Sequence, residues 1–170
     1  MSDNEEIIDV LVAVDADTIV SKYGTNTDPN SPVQITDPTL IFMITKQADA
    51  VNGNAGNELT IGAKTLDTIR WRETTLSLNA AYFALLYKFE AGAGGNLISP
   101  PIPLEADVET PLPDPANPTV PKKQTIKSFF WNSTVLEPGS VTYHFNFMIL
   151  DRNGDVQGYY WWDPFIKITD

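Results

Sequence analysis

Apolar and polar positions alternate with a period of two along most of this chain, and short runs of Gly, Pro, Asn and Asp break the alternation. That pattern predicts β-strands joined by turns. Residues 7–14 form a β-branched apolar run whose one charged position is Asp9, as a buried strand would. Residues 40–45 predict a second strand. An Asn/Gly turn over 52–57 is followed by Leu59 and Ile61, the start of a third. Over 65–78, Leu66, Thr68, Arg70 and Arg72 fall on one face, and Asp67, Ile69 and Trp71 on the other. Residues 80–89 are apolar and aromatic. A helix over 78–90 competes there, since Ala and Leu are frequent, but Tyr82, Phe83, Tyr87 and Phe89 favour a strand. Strands over 124–135, 141–150 and 156–168 complete the set. In the second of these, Val141, Tyr143, Phe145, Phe147 and Ile149 read as the core face. Thr142, His144, Asn146, Met148 and Leu150 lie opposite, polar at first and apolar at the end, which predicts cover there by a loop or another subunit. Asn153-Gly154 offers the two positive-φ positions of a type I′ turn.

Only residues 18–23 predict a helix, with cap candidates at Asp15 and Asp17 before it and Gly24 after it. Residues 24–38 carry three Pro and predict a long loop. Residues 91–95 are Gly-rich and predict another. Residues 100–121 hold eight of the thirteen prolines. Proline cannot donate to a sheet ladder, so the segment reads as a mobile Pro-rich loop within one domain spanning residues 1–170. Many short strands, few helices and Pro/Gly-rich joints indicate an all-β fold: a single-domain antiparallel β-sandwich, jelly-roll or immunoglobulin-like, with one short helix.

Composition narrows the functional classes. With 22 acidic against 11 basic residues, the chain carries a net charge of -11. That field repels phosphate backbones and anionic bilayers, so neither nucleic acid nor a membrane is an expected partner. There is no Cys, hence no disulfide and no thiolate chemistry. The start, Met1-Ser2-Asp3-Asn4-Glu5-Glu6, is acidic and precedes only a short apolar run, which argues against a cleavable signal peptide. No stretch has the roughly 20 apolar residues of a membrane helix. A cytoplasmic location is expected.

The chemistry-bearing residues suggest no catalyst and no cofactor. His144 is the only His, and no Gly-x-Ser-x-Gly stands near it. Asp151-x-Asn153-x-Asp155 has the oxygen spacing that opens a calcium loop, but the Gly at the sixth position and the Glu at the twelfth are missing, so it reads as a turn and no metal is expected. Asp15, Asp17, Asp28 and Asp37 would serve a glycosidase if they gathered. Their positions suit a helix cap and Asp-Pro turns better. Arg70 and Arg72 flank Trp71 and suggest a guanidinium–carboxylate pair with Glu73 or an Asp. Tyr159, Tyr160, Trp161 and Trp162 alternate across a strand, so about half face outward. Outward aromatics beside Asp or Asn suit a sugar, and Tyr160, Trp161, Trp162 and Asp163 are the candidate ligand-binding residues. A buried face or a subunit interface is the competing use of the same residues.

Four blocks together carry a resemblance. The first is Ile8-Asp9-Val10-Leu11-Val12-Ala13-Val14-Asp15 with Ile19 and Lys22-Tyr23. The second is Asp28-Pro29-Asn30-Ser31-Pro32 leading to Phe42-Met43-Ile44. The third is Ile69-Arg70-Trp71-Arg72 with Thr75-Leu76-Ser77. The last is Asp151-Arg152-Asn153-Gly154 with Gln157-Gly158-Tyr159-Tyr160-Trp161-Trp162-Asp163-Pro164. In order and spacing they resemble the bacterial AidA/PixA family of inclusion body proteins, over nearly the whole chain. The resemblance implies a non-enzymatic accessory protein associated with cytoplasmic inclusions and host interaction, acting by self-association or binding, with the homo-oligomer as its expected partner. It supplies no catalytic residue. The chain has only three Met, which argues against a sulfur store. A lectin-like module that binds a glycan is the alternative function.

Overall fold

The computed structural model describes residues 5–168. The first four residues of the acidic start, on which the reading of a missing leader partly rests, lie outside them. The described chain is all-β, with one α-helix and a single 3₁₀ turn at Gly95–Leu97.

Two sheets face each other. The first is ordered β3-β1-β6-β9-β8, where β1 is Ile7–Val14, β3 Ile41–Ile44, β6 Thr68–Thr75, β8 Ile102–Asp114 and β9 Asn117–Thr134. β1 sits inside this sheet, antiparallel to β3 on one side and parallel to β6 on the other. The second sheet is built on β10, Gly139–Leu150. One edge of β10 pairs with β7, Phe83–Ala91. Its other edge is shared by β11, Val156–Trp162, and β12, Phe165–Ile168. Pro164 lies between those two strands, has no N–H for the ladder, and lets the chain step from one to the next. β2, Val33–Gln34, runs parallel to β11, and β5, Thr60–Ala63, runs parallel to β12, with β4, Ala50–Asn52, beyond it. The expected all-β sandwich with one short helix is therefore present, but three of its pairings are parallel rather than antiparallel.

Aromatic side chains from both sheets fill the space between them. Trp71 of β6 meets Tyr143 and Phe145 of β10 edge-on, with ring centroids 5.7 and 5.5 Å apart. Each buried indole N–H finds a partner across the gap, as buried donors must. Trp71 donates to the Tyr143 hydroxyl at 3.1 Å, Trp131 to the Leu86 carbonyl at 3.1 Å, and Trp162 to the Met43 sulfur at 3.4 Å. Complete burial pushes the Tyr143 hydroxyl well above the usual phenol range.

The helix, α1, runs Ala16–Tyr23. Asp15 caps it by accepting from the Thr18 N–H, and Gly24, at φ 74, ends it by returning its own N–H to the Val20 carbonyl. Asp17 lies in the first turn and is not the cap.

Residues 100–121 are not a loop. β8 and β9 pair along 102–132 as one long hairpin, while β6 reaches only Trp131–Thr134 of β9. The rest of the hairpin is a two-stranded arm, roughly 35–40 Å long at ~3.3 Å per residue. Proline misled the sequence reading because both outer edges of this ribbon are free of ladder partners, and a free edge is where a strand tolerates proline. The turn between β10 and β11 also differs from expectation. Gly154 alone has positive φ, at 84°. Asp151 Oδ1 accepts from the N–H groups of Asn153 and Asp155, and Gly154 N–H donates to the Asp151 carbonyl. The result is an Asp-capped loop with a register shift at Ile149/Leu150.

Candidate functional site

The outward side chains of the second sheet come together around Trp161. Register sets this grouping: Asn146 of β10 stands between Trp161 of β11 and Lys88 of β7, and His144 stands opposite Glu90. The Pro29-Asn30-Ser31-Pro32 turn closes one side, and a polar cleft of about 400 Å³ is left between turn and sheet. Asp28 Oδ1 accepts from the Asn30 N–H within the turn, and the Tyr87 hydroxyl holds the turn over the sheet by donating to the Pro29 carbonyl at 3.0 Å. Tyr87 in turn packs edge-on against Tyr159, 5.4 Å between centroids.

Inside the cleft, His144 Nε2 lies 3.0 Å from Glu90 Oε2, and the imidazole leans on Trp161 at 4.9 Å. Lys88 pairs with the same carboxylate. That ion pair, with the His144 contact, holds the Glu90 carboxyl below its ordinary range. Lys88 and Glu90 cancel, so the cleft offers polarity without a dominant charge. Asn146 is only 3% exposed, and its Oδ1 is buried without a hydrogen-bond partner.

The four residues expected at a ligand site do not act together. Tyr160 and Trp162 are 0% and 2% exposed and belong to the core. The Tyr160 hydroxyl donates to the Gly24 carbonyl at 2.7 Å, and burial pushes it up to about 12. Asp163 is exposed at the break between β11 and β12 and does not line the cleft. Trp161 alone reaches it. The period of two dictates this outcome, since a strand that buries Tyr160 and Trp162 must turn Trp161 outward.

The other candidates resolve into structure. Asp15 caps α1, Asp28 caps a turn, and Asp37 pairs with Lys22 while accepting from Thr39. The Lys22 hydrogen bond and those from Thr39 hold the Asp37 carboxyl far below its usual range. Among the described residues, no three His, Asp or Glu side chains gather as a metal group. No described helix is long and apolar enough to cross a membrane. Arg70 makes its expected carboxylate pair with Asp9, both bonds at 2.7 Å, rather than with Glu73.

Sequence reasoning missed Lys88 and Glu90, because a strand and a helix were both open there and their facing depends on register. It also missed a second surface, the outer face of the first sheet. There Arg70 and Arg72 lie over Phe130 at 5.4 and 5.5 Å. Phe130 pairs with Leu104, Ser128 with Ala106, and Ile126 with Val108 down the arm. Val108 and Ile126 are 38% and 40% exposed, and Ile7, Leu11 and Ile44 are exposed on β1 and β3, separated from them by Arg70 and Arg72 of β6. The arm's other face is charged, with Lys127 lying 3.6 and 3.5 Å from Glu105 and Asp107.

Comparison with known proteins agrees with the architecture. The family model described as PixA, inclusion body protein, matches residues 6–168. No curated protein matches the chain. The crystal structure of an inclusion body protein (PixA) from Burkholderia cenocepacia J2315 superposes with a TM-score of 0.82 over 99% of both chains, at 18% identity, a likeness of fold. The Asp-capped last hairpin, the Trp71 and Trp162 core and the 28–32 turn lie inside the matched span, and the chain belongs to the PixA inclusion body protein family.

Proposed function

We propose that this protein is a non-enzymatic bacterial accessory protein that works by binding, foremost by associating with copies of itself in cytoplasmic inclusions. One observation carries this reading: the β8–β9 arm exposes Leu104, Val108, Leu112 and Ile126 on one face, beside Phe130 and the Arg70 and Arg72 side chains that lie over it. A two-stranded ribbon is marginal in water unless its apolar face is covered. Large exposed apolar patches mark interaction surfaces. Pro103, Pro111, Pro113, Pro118 and Pro121 blunt the ribbon's edges, so faces rather than edges are left to pair. Pairing of identical faces about a two-fold axis closes on itself, whereas head-to-tail pairing propagates.

Light scattering after size exclusion tests the reading. The wild-type chain should gain mass with rising concentration. Val108→Lys with Ile126→Glu should return it to a monomer while its folded spectrum is kept. A strict monomer at every concentration would sink the proposal. A second reading, carbohydrate binding, is favoured by Trp161, which stays accessible at the mouth of a polar cleft.

A further inference from the structure

We infer that the cleft over β7, β10 and β11 binds an uncharged saccharide whose hydroxyl donates to Asn146 Oδ1 while its ring lies against Trp161. The inference rests on the carbohydrate reading and adds the group that recognises the ligand.

Asn146 is the reason to expect a donor. It stands in the middle of β10, flanked by the core residues Phe145 and Phe147, where a polar side chain is costly. The Tyr87 hydroxyl fixes which way its amide points. That hydroxyl spends its own hydrogen on the Pro29 carbonyl, so towards Asn146 it acts only as an acceptor. Asn146 therefore turns its N–H to Tyr87, and this contact opposes the rise that burial imposes on the tyrosine. The carbonyl is left over, buried and unpartnered, on a residue that lines the cleft. Most buried acceptors in native proteins have a partner from protein, water or ligand, and this one has none from the protein.

The rest of the cleft says what brings that donor. Trp161 supplies an apolar plate, which suits the C–H face of a sugar ring. Glu90, held by Lys88 and His144, supplies a second acceptor nearby. Because Lys88 neutralises Glu90, neither a cationic nor an anionic ligand gains from the site, and a neutral polyol does. The volume of about 400 Å³ falls within the ~300–1,000 Å³ of small-molecule sites. Register places Lys88, Glu90, His144, Asn146 and Trp161 on three neighbouring strands, with the 29–32 turn beside them.

The test is titration of the full chain with neutral hexoses, deoxyhexoses and N-acetylhexosamines by calorimetry, with Trp161→Ala and Asn146→Leu beside the wild type. At least one sugar should bind the wild type, Trp161→Ala should abolish binding, and Asn146→Leu should weaken it about tenfold or more. If a sugar binds through Trp161 and Asn146→Leu binds as the wild type does, the inference falls and the carbohydrate reading stands. If no sugar binds, both fall. If Asn146→Leu does not fold, the side-chain amide resonance of Asn146 in the wild type decides. It must move on saturation with the bound sugar, and an unmoved resonance overturns the inference.

Discussion

Glu73 is a half-buried acid whose Oε2 is buried without a partner, on a strand that buries Ile69, Trp71 and Thr75. Burial raises its carboxyl from the ordinary 4.5 to about 7, against the smaller opposing pull of its own N–H, Arg72 and the Leu86 N–H. Between pH 4.5 and 7 the folded chain therefore holds a proton that the unfolded chain has lost. Stability should fall as pH rises through that window and level off above it, by about 3 kcal/mol at ~1.4 kcal/mol per pH unit. Glu73→Gln should remove this slope and leave the protein more stable than wild type at pH 8. Urea melts of both proteins at pH 5 and pH 8 check it, and an unchanged difference between the two pH values would contradict it. The two last tryptophans give a second contrast. Trp162→Ala empties a site packed by Phe145, Phe147 and Met43 and should cost about 3–5 kcal/mol. Trp161→Ala should cost about 1 kcal/mol or less, since its outward ring packs mainly on His144. Thermal melts of the two variants should separate them clearly.

At the scale of elements, local signals were legible wherever one residue does the work. Asp15 and Gly24 bracket α1 as their side chain and φ require. Phe83, Tyr87 and Phe89 lie in a strand, as the aromatics predict against Ala and Leu, because β7 pairs with Tyr143–Leu150 of β10. The Asp151 run is a turn, as its residues predict, but not a type I′ turn, since Asp151 Oδ1 accepts from the Asp155 N–H as well and only Gly154 has positive φ. Asp151→Ala leaves the Asn153 and Asp155 N–H groups without their acceptor and should destabilise by about 1 kcal/mol. Added calcium should leave the wild-type melting temperature unchanged, and a calcium-induced rise would restore the metal reading. The arm shows the opposite case. The alternation of Leu104, Ala106, Val108, Thr110 and Leu112 was in plain view, but eight prolines outweighed it. Whether proline breaks a strand depends on whether its edge has a neighbour, and no local pattern reports that.

For the whole molecule, the period of two determined that this chain is all-β, which residues are core, and that half of the final aromatics face outward. It did so because burial of one strand face is a local property of alternation. Only the tertiary structure decided which strands become neighbours. The parallel pairings β1–β6, β11–β2 and β12–β5 join segments far apart in the chain, and no turn between them announces the partnership. The same long-range register set Lys88 and Glu90 beside His144, laid the 29–32 turn over Trp161, and left Asn146 Oδ1 without a partner. A site is made of residues that meet across strands, and the free energy that brings them together is that of the sandwich core, not of the segments that carry them.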